Sequence, residues 1–327
     1  MSLIDMAKNE QTNNITVNGQ TFTNNLGMPY ETAIFNAYQS TLYTGGKPRE
    51  GKVSTTSIIG PLKPLIYAIT QPASEVLQDV SSLTASARGT SMHTGLESAL
   101  TMLNSGYVVE QRVDREVNGW KVSGELDVLT PDKQIKDLKT TSAYTIDKLK
   151  GDMEHLNSDM SLYEMSQLTP TYYKYLMQLS IYKYLLNDEE VQPFGSILFM
   201  LNHGGFDGLP LNSETILPLL PNEATEEFLF ERIGQLKQHI ADGTLPDCTN
   251  VDRGFKPGEY KLSRFSPSTG KWRTVNGSKF STLQELQAFQ SVKGKTGDKQ
   301  LITPPTYFLC EWCKAKDICE QYKASQV

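Results

Sequence analysis

One stretch constrains this chain more than any other: residues 122–141, VSGELDVLTPDKQIKDLKTT. Val122 to Val128 alternates apolar residues or Gly with polar ones, and Leu129 extends the apolar end, the pattern of a half-buried strand. Thr130-Pro131-Asp132-Lys133 puts Pro at the second turn position and Asp at the third, which suits a type I turn. The returning strand is Gln134 to Thr140. Asp127 falls near the end of the first strand and Asp137 within the second. Lys139 lies two residues beyond Asp137, so the two side chains project from one face. Two carboxylates and one ammonium then occupy neighbouring positions of one sheet. Acids that close repel each other, and a divalent cation is the usual remedy. The pattern predicts a Mg²⁺ site, with Mn²⁺ as its substitute, and an adjacent lysine, an arrangement suited to breaking a phosphodiester bond. Glu125, two residues before Asp127, shares its face and is a candidate for an outer position.

Two helices carry further polar residues at helical spacing. The first is expected from about Leu83 to Leu103, with an apolar stripe of Met92, Leu96, Leu100 and Leu103. His93 and Glu97 are four apart and share one face. Gly89, inside that pattern, costs roughly 1 kcal/mol relative to Ala and so marks close packing or a ligand's approach. The second is expected to begin at Thr169-Pro170, with Thr as cap and Pro in the first turn, and carries Tyr175, Leu176, Gln178, Leu179, Tyr182 and Leu185. Gln178 and Tyr182 are again four apart. Between them, strands are expected at Tyr107–Val113 and Trp120–Leu129, and the polar segment 145–165 reads as a mobile flap.

The remaining segments frame this centre. Residues 1–50 are rich in Asn, Thr, Gly and Gln, with a hairpin expected over Ile15–Phe22 around Asn18-Gly19 and a linker at Lys47–Lys52. Val53–Pro61 enters the globular body, and a short helix follows over Pro64–Ile69. A buried strand is expected at Phe194–Leu201, then a helix over Glu223–Ala241 with Phe228, Leu229, Ile233, Leu236 and Ile240 on its apolar side. Tyr260–Phe265 and Lys271–Val275 pair around Ser268-Thr269-Gly270, before a helix over Leu283–Phe289. The domains expected are therefore a partly ordered segment 1–52, a core 53–245 and a C-terminal region 246–327.

Composition excludes several classes. The net charge is −6, so nucleic acid would be met by a local basic surface rather than by a basic coat. No run of about eighteen apolar residues exists, which argues against a membrane span, and the start, MSLIDMAKNEQTNN, lacks the charged and apolar regions of a secretory signal. A cytoplasmic location is the expectation. No GxxxxGK[ST] motif is present, so any strand unwinding would come from a partner. Three of the four cysteines, Cys310, Cys313 and Cys319, cluster at the end with a two-then-five spacing, and Cys248 stands apart. In a cytosolic chain that spacing points to metal rather than disulfides, and buried free thiols are the plainer alternative. Zinc and an iron–sulfur cluster both accept four thiolates.

The order of the motifs resembles the PD-(D/E)XK superfamily, and within it the RecB-type nucleases. Gly89-Thr90 with His93 and Glu97 looks like their first motif, and Gly124 with Asp127 like the second. Asp137-Leu138-Lys139-Thr140 looks like the third. Gln178-Leu179 with Tyr182 looks like the Gln/Tyr motif on the helix that follows. The likeness covers about residues 53–240 and is nearest to phage-encoded members, which are DNA nucleases and often exonucleases. It implies a restriction-endonuclease-like α/β fold, a mixed central sheet flanked by helices, here with a cysteine-bearing appendage. It further implies that His93, Asp127, Asp137 and the carbonyl oxygen of Leu138 hold the cation, which polarises phosphate and acidifies water. Lys139 would position that water, Glu97 would orient His93, and Gln178 and Tyr182 would hold the substrate backbone. Products would carry a 5′-phosphate and a 3′-hydroxyl. The tail is similar to the iron–sulfur staple of helicase-linked members and tilts the choice to [4Fe–4S] over zinc, although Cys248 follows the motifs where the relatives' lone cysteine precedes them. Implied partners are DNA with a free end and a helicase or recombination protein, in a host cytoplasm if the chain is phage-encoded.

Each piece alone has a plain reading: an Asp-x-Lys on a strand is usually a solvated surface, and a helical His is usually a structural hydrogen-bond partner. Their order along the chain is what favours a site. Rival readings are a non-catalytic module that binds DNA ends or a protein partner, and a nuclease acting on RNA.

Overall fold

The pair Asn118-Gly119 sets the register of the whole centre. Val117 and Trp120 face each other across it, and both turn residues take positive φ, 47° and 72°. That geometry twists a two-residue loop in the same sense as its strands. From this turn β5 (Val108–Val117) and β6 (Trp120–Leu129) run antiparallel. β7 (Ile135–Thr141) returns through the expected turn, closed by a 2.9 Å bond from Lys133 N to the Thr130 carbonyl. The computed structural model describes residues 15–17, 20–23, 49–71, 78–79, 84–102, 106–201 and 212–326.

The strands around β6 leave a gap. On one edge β6 pairs with β5 along its length. On the other, β3 (Lys52–Ser54) pairs in parallel with residues 121–123, and β7 pairs only through Val128–Lys136 and Leu129–Ile135. Among the described residues, 124–127 have no strand partner on that edge. β7 pairs instead with β8 (Phe194–Leu201) in parallel along its whole length, and β9 (Asn212–Pro218) closes the far edge antiparallel to β8. The result is a six-stranded mixed sheet. β9 lies beyond what the sequence pattern marked.

Helices flank this sheet. In chain order they are α1 (Thr55–Ile59), α2 (Leu62–Thr70), α3 (Thr84–Met102), α4 (Ala143–Glu154), α5 (Leu162–Leu168), α6 (Pro170–Leu186) and α7 (Asn222–Asp242). α6 is buried nearly all round: Tyr175, Leu176, Met177, Leu179, Ile181 and Leu185 all belong to its buried set, as do the polar Gln178 and Ser180. A helix of that kind sits inside a core rather than on it, and α6 packs across β5, β6, β7 and β8. α7 presents Leu229, Ile233 and Leu236 to the same core, with Phe228 and Ile240 partly buried beside them. α3 lies against β5 and β7 and is only half-buried along Met92, Leu96 and Leu100.

Segment 145–165, expected as a flap, is helical over much of its length. α4 spans most of its first half, buries Ile146 and Leu149, and packs on α6. Its polar residues had hidden a two-residue apolar anchor. Asp152 is engaged as well, since its Oδ2 accepts from Thr171 N and Tyr172 N at 2.7 and 3.0 Å. Those amides are orphan donors of α6's first turn. Thr169 stands at the N-cap but its hydroxyl donates to Met165 O at 3.0 Å, so Asp152 is the residue that caps α6.

Before this core, β1 (Ile15–Val17) and β2 (Gln20–Thr23) form the expected hairpin, Val17 opposite Gln20, and β2 pairs with β4 (Gln78–Asp79). The turn pair Asn18-Gly19, residues 1–14 and 24–48, and Leu103 lie outside the described residues. Arg49–Lys52, within the segment expected as a linker, is a tight turn closed by two backbone bonds.

The chain divides into two compact units, Met1–Pro246 and Asp247–Val327. In the second, β10 (Phe255–Lys256) pairs with β14 (Thr306–Tyr307). Between them β11 (Glu259–Ser266), β12 (Lys271–Phe280) and β13 (Lys299–Thr303) form a sheet in the order β12-β11-β13. α8 (Leu283–Lys293) packs on one face, burying Leu262 and Leu286. The tail ends in a 3₁₀ turn at Cys310–Trp312 and α9 (Glu320–Ala324). No described helix is long and apolar enough to cross a membrane.

Candidate active site

The gap on β6 is where the polar residues gather. Because β6 and β7 part after Val128–Lys136, the Leu138 amide has no carbonyl opposite it, and Asp127 fills the place: its Oδ2 accepts from Leu138 N at 2.6 Å. At the other end of the gap Thr55 Oγ1 donates to Ser123 O at 3.2 Å. Gly124 lies between. A Cβ there would fall 2.5 Å from the Tyr182 ring and 2.7 Å from Thr55 Oγ1, so only glycine lets α6 and α1 close on β6.

Asp137 is completely buried. Its Oδ1 accepts from Gln178 Nε2 at 2.9 Å, and that amide also donates to the Tyr182 hydroxyl at 3.0 Å. Lys139 Nζ lies 2.6 Å from Asp137 Oδ2 as an ion pair whose angle is poor for a hydrogen bond. Burial pushes the Asp137 carboxyl up to about 6, with Lys139 pulling it down and Asp127 adding repulsion. Burial disfavours the Lys139 ammonium, yet Asp137 and Asp127 outweigh it and raise the pKa.

His93 comes over from α3. Its Nδ1 lies 3.3 Å from Asp127 Oδ1 and 3.5 Å from Glu110 Oε1, and its Nε2 is 3.1 Å from the Leu138 carbonyl. Burial opposes charge on the ring, but the bonds to Asp127 and Glu110 prevail and raise its pKa to about 10. An imidazolium here donates at both nitrogens.

Glu110 is the member that sequence reasoning missed. The β5–β6 register places it opposite Asp127, but that pair is absent from the ladder. Glu110 takes φ 48°, the left-handed region that a non-glycine residue enters at a cost of about 1–2 kcal/mol. The signal was available: Asn118-Gly119 as a two-residue hairpin turn fixes which residue faces Asp127. Among the described residues, His93, Glu110 and Asp127 form the one group of three His, Cys, Asp or Glu side chains whose ligand atoms lie within 4.8 Å of one another.

The cleft these residues line has a volume of about 740 Å³. Asp127, Asp137, Lys139, His93, Gln178, Tyr182 and Glu97 all contribute to its wall, so seven side chains taken from the four motifs meet at one cleft. The expected cation set is arranged differently. The Leu138 carbonyl faces His93, Asp137 pairs with Lys139, and Glu110 joins His93 and Asp127. Glu97 lines the cleft without a described contact to His93. Glu125 also lines it, 3.3 Å from Arg112 across the hairpin. Two carboxylates and an imidazole, with a buried Asp137 oxygen that lacks a directed hydrogen bond, suit a hard divalent cation.

The cysteine tail fits its group less well. Cys313 N donates to Cys310 O at 3.1 Å, and burial, with Cys319 and Cys310 nearby, pushes the Cys313 thiol up. The Gln321 side chain holds the Cys248 backbone, its Oε1 accepting from Cys248 N at 3.0 Å and its Nε2 donating to Cys248 O at 2.9 Å, so the tail returns to Cys248. Among the described residues, the four sulfurs do not converge to the spacing of shared ligands.

No known family profile matches this chain, and no curated protein matches it. Several solved structures are loosely similar, among them the following. SSO0001 is 17% identical, with 69% of this chain and 92% of that one covered at a TM-score of 0.42. An alkaline exonuclease, LHK-Exo, from Laribacter hongkongensis is 13% identical, with 64% and 95% covered at 0.35. LHK-Exo in complex with dAMP is 13% identical, with 59% and 91% covered at 0.35. At TM-scores below 0.5 these likenesses are too loose to bear on the chemistry of the cleft.

Proposed function

We propose that this chain is a divalent-metal-dependent DNA nuclease of the PD-(D/E)XK type that works from DNA ends. One observation carries the reading. Asp127, Asp137 with Lys139, His93 and Gln178 come from four separate chain segments and meet in one cleft.

His93, Asp127 and Glu110 would hold the cation, with Asp137 beside them, and the ion supplies Lewis-acid activation of phosphate and water. The protein's own groups do the rest. The Lys139 ammonium is placed to orient an attacking water and to offset charge growing on phosphorus. Gln178 fixes Asp137, and the Tyr182 hydroxyl fixes the Gln178 amide, so the carboxylate cannot rotate away from Lys139. Ser54, Thr56 and Thr90 line the cleft with hydroxyls suited to a sugar–phosphate backbone. Attack of water forms the new P–O bond and breaks the bond to the 3′ oxygen, leaving a 5′-phosphate and a 3′-hydroxyl.

The test is digestion of end-labelled linear and closed circular DNA, single- and double-stranded, with Mg²⁺, Mn²⁺ or EDTA, by wild type and Lys139→Ala. Metal-dependent loss of linear DNA alone, absent in the variant, is the expected result. Cutting of circles would keep the site and replace the end requirement. No cleavage with either metal would sink the enzyme reading and favour a binding module. RNA in parallel reactions settles the choice of nucleic acid.

A further inference from the structure

The charge of this protein is divided unequally along the chain. Residues 247–327 hold 13 Lys and Arg against 8 Asp and Glu, a net of +5, whereas residues 1–246 hold 18 against 29. The acidic total therefore hides a basic C-terminal unit, the local footprint that nucleic-acid contact requires.

Within that unit the three-stranded sheet has one covered face and one open one. Leu262 points to α8, and Arg264 reaches the same side, paired with Asp298 and bonded to the Lys293 carbonyl at the end of α8. Phe265 therefore points to the opposite face, directly across from Trp272. The rings sit 5.7 Å apart, and the two residues are 46% and 42% exposed. Ser263 aligns with Lys299, whose ammonium crosses to the Trp272 ring at 4.5 Å. Lys261 and Lys279 lie opposite each other further along that face, sharing the single carboxylate of Glu259. The pair adds cross-strand contact to the sheet, but the buried core of the unit, Leu262 and Leu286, lies on the other face against α8 and leaves these rings exposed.

We propose that this open face binds a single-stranded polynucleotide. Bases stack on Trp272 and Phe265, and Lys299 moves from the ring to a phosphate as a base takes its place. Stacking on aromatics with lysines along the backbone path gives sequence-tolerant binding to unpaired strands. Duplex bases, stacked on each other, cannot use the rings. The proposal deepens the nuclease reading by making the C-terminal unit the part that keeps hold of the substrate strand, at high effective concentration for the cleft on the same chain.

The test uses the full chain in EDTA, so that nothing is cut. Fluorescence anisotropy follows a labelled oligothymidylate of about 16 nucleotides, the upper end of one domain's site size, with oligouridylate and a duplex alongside. Trp272→Ala and Phe265→Ala, both exposed and expected to fold, should each weaken single-strand binding by about tenfold or more. Lys299→Glu should weaken it and reduce its salt dependence. Equal weakening of thymidylate and uridylate means that the face does not discriminate the sugar. Wild-type affinity in both aromatic variants, or no single-strand binding at all, overturns the proposal and leaves the face to a protein partner. Digestion by the wild-type protein with Mg²⁺ or Mn²⁺, run beside the binding assays, separates the two readings. Binding that depends on Trp272 in a protein that never cleaves would keep this inference while the nuclease reading fails, and cleavage with binding indifferent to Trp272 would do the reverse.

Discussion

His93 is the residue through which pH acts most directly on this protein. Its folded pKa is raised from 6.5 to about 10. A raised value means that the folded state holds the proton more tightly, so the stabilisation is complete below pH about 6.5 and is lost as pH rises through about 10. Asp137, raised from 3.8 to about 6 by burial, acts in the same direction over a lower window, between those two values. In EDTA, wild-type thermal stability should therefore fall from pH 6.5 towards pH 10, and His93→Ala should lose most of that slope. Parallel melting curves for the two proteins would remove the ion network from the account. Glu110 carries a second expectation. Its left-handed backbone stores strain that glycine would not. Glu110→Gly relieves about 1 kcal/mol of backbone strain but removes one of the two carboxylates that hold the His93 proton, so it should leave stability in urea denaturation nearly unchanged while weakening Mn²⁺ binding in calorimetry. Loss of stability without loss of cation affinity would mean that Glu110 serves packing. Both residues share a lesson about legibility. His93 was readable because it sits one turn from Glu97 in a motif, whereas Glu110 stands in no motif and becomes visible only when the Asn118-Gly119 turn is used to align the two strands.

At the scale of elements, the decisive contact is α6 on β6. Gly124→Ala would place a methyl group within 2.5 Å of Tyr182. Overpacking of this kind costs roughly 1–3 kcal/mol, and relief requires α6 to shift, carrying Gln178 away from Asp137. Urea denaturation should report that loss, and cleavage should fall further than stability alone explains. An alanine variant as stable and active as wild type would mean that the helix packs more loosely than this. Strands and helices around the site were legible because their periods are clean: β6 and β7 alternate, and α6 carries its apolar residues on a proline start. α4 was not, because Ile146 and Leu149 are its only deeply buried apolar residues and the surrounding charge masks them. β9 was missed for a related reason. It is an edge strand whose Ile216 is exposed and whose inward residue Leu217 stands beside Pro218, so no alternation announces it.

For the whole molecule, the divided charge and the cysteine tail are the features that remain open to measurement. Spacing grouped Cys310, Cys313 and Cys319 and left Cys248 apart, joined to them only by the resemblance; in the structure the Gln321 side chain of the tail bonds the Cys248 backbone. Spacing cannot report how sulfurs are aimed, because that depends on side-chain rotamers and on turns as short as Cys310–Trp312. If the four thiolates hold [4Fe–4S], protein purified without oxygen should contain iron at about four per chain, and Cys313→Ser should remove it. Zinc in place of iron would move the assignment to a tetrahedral site, and neither metal would leave the cysteines as ordinary half-buried thiols.

The interrupted edge of β6 has a kinetic consequence. Amide protons in the middle of a six-stranded sheet normally exchange with solvent only when the protein opens, because each is held by a neighbouring strand. Among the described residues, no strand pairs with the edge between Gly124 and Asp127 that faces the cleft, and amides turned towards it should exchange as a loop does, although Leu126 is completely buried. A central strand of the sheet thus contains its own solvent clock, one that would slow when substrate covers the cleft and speed up again when product leaves.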